Sequence, residues 1–174
     1  MCGFTLINIK SHSSRNNELG KIRESLKLIQ HRGPDNQQIW ANSTEELIMA
    51  HARLSIIDID LGNQPFHDMS NRYSIIFNGE IYNFKEVKKI LNLKTRTNSD
   101  TEVLLLAYIK LKEKCLDFIK GMFSFCIWDN HEKSLFVARD RFGIKPLYYT
   151  EQNKSIIFSS EIKGLLPFIY EKNI

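Results

Sequence analysis

The apolar residues of this chain are parcelled into short runs closed by polar turns, in two sets with helical spacing between them, and this restricts the fold more than any other feature. Residues 4–9 read as a strand. Leu19, Ile22, Leu26 and Ile29 then recur on one helix face, which Arg32-Gly33-Pro34 ends. Residues 38–40, 47–51, 54–59 and 73–77 follow as short strands. Asn83 is placed to cap a helix carrying Phe84, Val87, Ile90 and Leu91 on one face. Ser99-Asp100-Thr101-Glu102 reads as a capping box before the apolar run 103–108. A second strand set, 123–128, 134–138, 147–150 and 155–158, turns at Asp129-Asn130-His131 and Gln152-Asn153-Lys154. Helices between two groups of antiparallel strands predict layered α+β.

The sequence holds 174 residues, 43% hydrophobic and 11% aromatic, enough for one substantial core, so a single domain over 1–174 is expected. Its net charge of +4 comes from 24 basic and 20 acidic residues, and the lysines of 85–120 alternate with acids. That is a solvated face, not a nucleic-acid stripe. Cys2, Cys115 and Cys126 form no closely spaced pair, which argues for reduced thiols and against a disulfide or a cysteine-rich metal site. Residues 3–10 are too short and polar for a signal peptide, and no apolar stretch reaches membrane-spanning length. A cytoplasmic protein without a membrane or nucleic-acid partner is expected.

Removal of Met1 would leave Cys2 with both a thiol and a free α-amino group. A thiol titrates near 8.5 and an α-amine near 7.7–8, so the amine could take the thiol proton near neutrality, as no lysine could. One residue would then carry a nucleophile and its base.

Several segments in this order resemble the glutaminase domain of class II, N-terminal-nucleophile glutamine amidotransferases, and most closely that of glutamine-dependent asparagine synthetases. They are Met1-Cys2-Gly3, His31-Arg32-Gly33-Pro34-Asp35, His51-Ala52-Arg53-Leu54-Ser55-Ile56, Asn78-Gly79-Glu80-Ile81-Tyr82-Asn83 and Ser99-Asp100-Thr101-Glu102. The likeness continues through Gly121-Met122-Phe123 and the stretch 139–149 to Ser160-Glu161-Ile162-Lys163. It departs in two ways: the stretch 91–97 is a few residues short, and the residues end where the family continues into an ATP-using synthetase domain, with no Ser-Gly-Gly-x-Asp-Ser pyrophosphate loop among them. The resemblance implies a four-layer αββα sandwich of two antiparallel sheets. It implies no cofactor or metal here, with ATP and Mg confined to a synthetase domain absent from these residues. The implied partners are glutamine and a synthetase domain or subunit that accepts ammonia; monomer and homodimer both stay open.

The same resemblance assigns roles. Cys2 would attack the glutamine amide carbon to form a thioester. Asn78, by its side-chain amide, and Gly79, by its backbone N–H, would form the oxyanion hole. Arg53 would bind the substrate carboxylate and Asp100, helped by Glu80, its ammonium. Leu54 and Ile56 would line the substrate site, with Arg32 and Gly33 in a covering loop of second rank. Plainer readings stand beside these. Asn78-Gly79 is also a hairpin-turn signal, Arg53 could be a surface ion pair, Asp100 a favourable charge at a helix start, and Arg32-Gly33-Pro34 a helix stop. Cys115 and Cys126 fit core packing, and the lone histidines read as structural or exposed. Phe142, Tyr148 and Tyr149 could form a docking surface, with at least one expected in the core. Two other functions compete: an N-terminal-cysteine hydrolase of a bulkier amide, and a non-catalytic module. Arg53 with Asp100 favours an amino-acid substrate, and the intact residue set favours catalysis.

Overall fold

The computed structural model describes residues 2–10, 15–44, 46–55 and 62–169, apart from the side chains of 15 and 16. In chain order the strands and helices are β1 (Gly3–Asn8), α1 (Arg15–Ile29), β2 (Asn36–Ala41), β3 (Leu47–Arg53), β4 (Phe66–His67), β5 (Tyr73–Ile81), α2 (Phe84–Ile90), α3 (Asp100–Leu111), β6 (Gly121–Asp129), β7 (Ser134–Arg139), β8 (Tyr148–Gln152), β9 (Ser155–Ser159) and α4 (Ile162–Leu165). Contacts divide the chain into two compact units, one of residues 1–54 with 146–174 and the other of 55–145. None of the described helices is long and apolar enough to cross a membrane.

The first unit is built on the sheet β2-β3-β1-β9-β8, antiparallel throughout. Every residue of β1 and β3 is buried. Ile7, Ile48, Ala50 and Ile157 meet Ile22, Leu26 and Ile29 of α1 and Leu165 of α4 in one core cluster. Helix α1 therefore uses the face its spacing predicted. A buried hydroxyl chain runs beneath it. Thr5 Oγ1 lies 2.8 Å from Ser25 Oγ and 3.0 Å from Ser159 Oγ, and Ser25 Oγ donates to the Gly164 carbonyl at 2.7 Å. These bonds meet the cost of burying three hydroxyls between sheet and helices.

The second unit is built on the antiparallel sheet β4-β5-β6-β7. Ile75, Phe77, Phe125 and Ile127 pack with Val87 of α2 and Val103, Leu104 and Ala107 of α3. The predicted α+β class with two antiparallel sheets and helical layers is borne out.

Several local expectations change. Asn78 and Gly79 do not form a turn: β5 runs through them to Ile81, pairing Asn78 with Ser124 and Gly79 with Phe123. A Cβ on Gly79 would lie 2.2 Å from the Met122 carbonyl oxygen, so glycine is needed there for the approach of β6. Leu54 and Ser55 fall outside β3, and the rest of the strand expected at 54–59 lies outside the described residues. Asn83 makes no cap bond and instead bridges the Phe118 carbonyl and the Lys120 N–H. Ile90 points outward, 59% exposed. Only half of the capping box forms. Ser99 Oγ accepts from the Thr101 N–H at 3.1 Å, but Glu102 turns to the loop, accepting from Arg96 N–H, Thr97 N–H and the Thr97 hydroxyl. Phe142, Tyr148 and Tyr149 are all exposed, so none is core.

Candidate active site

Cys2 precedes β1, whose Gly3 pairs with Ala52 of β3, so the residue sits at a fixed sheet end. Beyond the end of β3, the Leu54 N–H donates to Cys2 Sγ at 3.4 Å, and the Leu54 carbonyl lies 3.5 Å from the same sulfur as acceptor for the thiol proton. Leu54 can thus serve thiolate and thiol alike. The Cys2 carbonyl is held separately, accepting from Arg32 Nε at 2.9 Å. Arg32 is buried, and its Nη1 donates to Glu161 Oε1 at 3.0 Å while its Nη2 has no hydrogen-bond partner.

Two glycines of the sequence motifs make this hold possible. A Cβ on Gly3 would meet Arg32 Cδ at 2.7 Å, so only glycine lets the arginine stem cross the strand start. A Cβ on Gly33 would lie 2.2 Å from the Ala52 carbonyl carbon, so Gly33 lets the turn after α1 press against β3. The Asp35 N–H then bonds the Arg53 carbonyl at 3.1 Å, tying the turn to the strand that leads to Leu54. In the described structure, Arg32 and Gly33 shape and hold the surroundings of Cys2.

In the second unit, Asn78 is 1% exposed, and neither its Oδ1 nor its Nδ2 has a hydrogen-bond partner. Buried amides are almost always satisfied, because each orphaned polar atom costs about 1–3 kcal/mol. Asp100, first residue of α3, is 5% exposed and accepts the Ile81 N–H on Oδ2 at 3.0 Å. Burial, with a smaller push from the nearby Glu80 carboxylate and against backbone hydrogen bonds, raises its pKa from 3.8 to about 6. Glu80 itself is exposed. β5 thus carries Asn78, Gly79 and Glu80 in succession, and Asp100 at the start of α3 meets its end at Ile81, within reach of the Glu80 charge.

Arg53 is buried at the end of β3, opposite Asn36 and one residue before Leu54, not on the surface. Ile56 lies outside the described residues. Cys115 and Cys126 are fully buried, and burial pushes the Cys115 thiol up to about 12 and that of Cys126 higher, so neither suits nucleophilic work near neutrality. His51 is buried within β3, while His31 and His131 are exposed and pair with Glu161 and Glu132. Among the described residues, no group of three or more His, Cys, Asp or Glu could hold a metal ion. Sequence reasoning missed Glu161 as part of this site. Its signal was present in Ser160-Glu161-Ile162-Lys163, but an acid more than a hundred residues from Cys2 gives no local cue to its partner.

A family model described as a glutamine amidotransferase domain matches residues 1–174. Asparagine synthetase [glutamine-hydrolyzing] 1 of Bacillus subtilis is 42% identical over 172 residues, covering 95% of this chain and 27% of that protein. Amidase chry2 of Gibberella zeae is 36% identical over 179 residues, covering 97% and 27%. The chain spans about a quarter of the length of the curated relatives it matches. Among solved structures, the glutamine phosphoribosylpyrophosphate amidotransferase of B. subtilis superposes with a TM-score of 0.72 at 20% identity, over 94% of this chain and 43% of that one. That likeness shows the fold, while the family match covers every residue of the sequence: this chain belongs to the glutamine amidotransferase domain family.

Proposed function

We propose that residues 1–174 form one glutaminase domain, which hydrolyses the side-chain amide of glutamine to glutamate and ammonia. The observation that carries this reading is the double hold on Cys2, at its sulfur by Leu54 and at its carbonyl by Arg32. A cysteine kept only for packing has no use for a fixed carbonyl and a donor on sulfur.

In the Met1-free chain the α-amine takes the thiol proton and the thiolate attacks the amide carbon. Oxyanion charge falls to the Asn78 amide and the Gly79 N–H, and the unpaired Asn78 donor supports that role. Collapse expels ammonia, protonated from the α-ammonium, and leaves a γ-glutamyl thioester on Cys2. Water, deprotonated by the same amine, then releases glutamate and restores the thiol. Arg53 pairs with the substrate carboxylate, Asp100 and Glu80 with its ammonium, and Leu54 and Ile56 line the site. A buried carboxylate with a raised pKa is one that gains from a cationic ligand, which supports Asp100 in this role.

The ammonia would pass to an asparagine-synthetase-like reaction in the cytoplasm, on a synthetase domain or subunit that supplies ATP and Mg chemistry. The glutaminase domain itself would need no cofactor. The likeness to an amidase favours a second reading, in which the same nucleophile opens a different amide. Ammonia and glutamate release, measured on Met1-free protein against Cys2→Ala, decides between them. Equal release of both products from glutamine supports the first reading. No release from glutamine, with hydrolysis of another primary amide, would replace it with the second.

A further inference from the structure

Glu161 stands outside the residues assigned to substrate or chemistry, yet it organises the cluster behind the nucleophile. Its Oε1 accepts from Arg32 Nη1 at 3.0 Å and lies 2.9 Å from His31 Nε2, while Oε2 lies 3.2 Å from Lys163 Nζ. Burial alone would raise its carboxyl pKa, but hydrogen bonds from Arg32, His31 and Lys163 outweigh burial and hold it below the usual range. It is therefore a carboxylate at neutral pH, facing three cationic or titratable partners.

Arg32 depends on it. The guanidinium is buried, and its Nη1 donor is held in place by the acceptor it reaches. The Arg32 stem is steered by the missing Cβ of Gly3, but its head is fixed by one carboxylate oxygen. Remove that oxygen and the guanidinium head loses its second anchor, leaving the Nε bond to the Cys2 carbonyl to hold it alone. Arg32 at the carbonyl fixes the peptide plane of Cys2, and with it the Cα from which the thiol and α-amine project, while the Leu54 N–H at sulfur sets the rotation about the Cα–C bond.

We propose that Glu161 is a positioning residue: by fixing Arg32 it fixes the Cys2 carbonyl, and so aims the thiol and α-amine at the substrate amide. The catalytic consequence rests on the glutaminase reading above, while the hold on the carbonyl does not. A misplacement of about 1 Å far from the chemistry can cost on the order of 10²-fold in rate. Glu161→Ala should therefore lower kcat per active site about 10- to 100-fold and leave KM for glutamine nearly unchanged. Glu161→Gln, which keeps an acceptor for Arg32, should recover kcat to within a few-fold.

The test has two readouts. Turnover is normalised to sites titrated with a thiol-reactive glutamine analogue, which removes any loss due to misfolded protein. In parallel, the chain labelled with carbonyl-¹³C cysteine reports the Cys2 carbonyl by NMR. Loss of the Arg32 hydrogen bond in Glu161→Ala should move that resonance upfield, and Glu161→Gln should restore it. If Glu161→Ala does not fold, Glu161→Asp keeps the charge but falls one methylene short, and should move the same resonance. An unmoved resonance in the folded variant overturns the proposal, as does unchanged kcat per titrated site. A parent protein with no glutamine turnover counts against the glutaminase reading alone, since the resonance still decides the hold on Cys2.

Discussion

The surroundings of Cys2 and those of Asn78 and Asp100 treat their polar atoms in opposite ways. Around Cys2, the sulfur, the carbonyl, and the Nε and Nη1 of the arginine behind it each have a partner, and the bonds form a chain from Leu54 to Glu161. On β5 and α3, Asn78 is buried with both amide atoms unpaired, and Asp100 is a buried carboxylate whose pKa has risen to about 6. A group that must attack in one direction is best held before substrate arrives. Groups that must gain from substrate are best left short of partners, so that binding relieves their cost. On the proposed glutaminase reading, the bonded atoms of Cys2 belong to the attacking residue, and the unpaired Asn78 amide and the costly Asp100 charge belong to the groups that receive substrate, with Arg32 Nη2 an unpartnered exception behind Cys2.

The sharpest way to break this contrast is to remove the attacking atom. Cys2→Ala should reduce ammonia release from glutamine by at least about 10⁴-fold, the scale on which single nucleophile deletions act. Its melting temperature should stay close to that of the parent, since the side chain is small and half-buried. Undiminished ammonia release by Cys2→Ala would dissolve the comparison.

Next in size are the unsatisfied groups, where loss of function and gain of stability should travel together. Asn78→Ala should cost about 10²–10³ in kcat, as deletion of an oxyanion donor typically does. Because it deletes two orphaned buried atoms, it should leave thermal stability unchanged or higher, offsetting the cavity it opens. A large fall in melting temperature would mean that the amide is a structural element with a partner.

Asp100→Asn should weaken glutamine binding at least about 30-fold, because a buried ion pair loses one member. Its effect on the fold runs the other way. Asp100 holds its proton more tightly in the folded chain than in the unfolded one, so its favourable contribution is complete below about pH 4 and is lost as pH rises toward about 6. The asparagine has no such loss, so it should be the more stable protein at pH 7, by about 1–3 kcal/mol. Denaturant midpoints measured from pH 4 to 7 check the sign: the gap should open with rising pH. In the parent, glutamine affinity should rise over the same interval as Asp100 ionises.

The smallest effect is expected at the other two thiols. Cys115→Ala and Cys126→Ala should each cost about 1 kcal/mol of stability, as small buried apolar groups do, and leave turnover per active site alone. Loss of turnover at constant folded fraction in either variant would move the chemistry away from Cys2.

Much of this was legible in the sequence because it is local. The helix face of Ile22, Leu26 and Ile29 follows from spacing, and so do most of the strands. Asn78-Gly79 was not legible from spacing, since the dipeptide is a turn signal and only pairing with Ser124 and Phe123 makes it strand. Glu102 illustrates the same limit. Its position three residues after Ser99 fits a capping box, yet the Arg96 and Thr97 amides of the preceding loop offer it a better set of donors. The hold on Cys2 is longer-ranged still, joining residues 2, 32, 54 and 161 through a sheet that no local pattern encodes. Resemblance named Cys2, Asn78 and Asp100; it could not say that one would be held and the others left wanting.

The most direct test is covalent capture on the Met1-free protein with a thiol-reactive glutamine analogue, followed by peptide mapping and mass measurement. The expected result is a single label on Cys2, blocked by glutamine, absent in Cys2→Ala and markedly slowed in Asn78→Ala. Label on Cys115 or Cys126, or labelling of Cys2 that glutamine does not block, would contradict the division into a held nucleophile and a waiting substrate side.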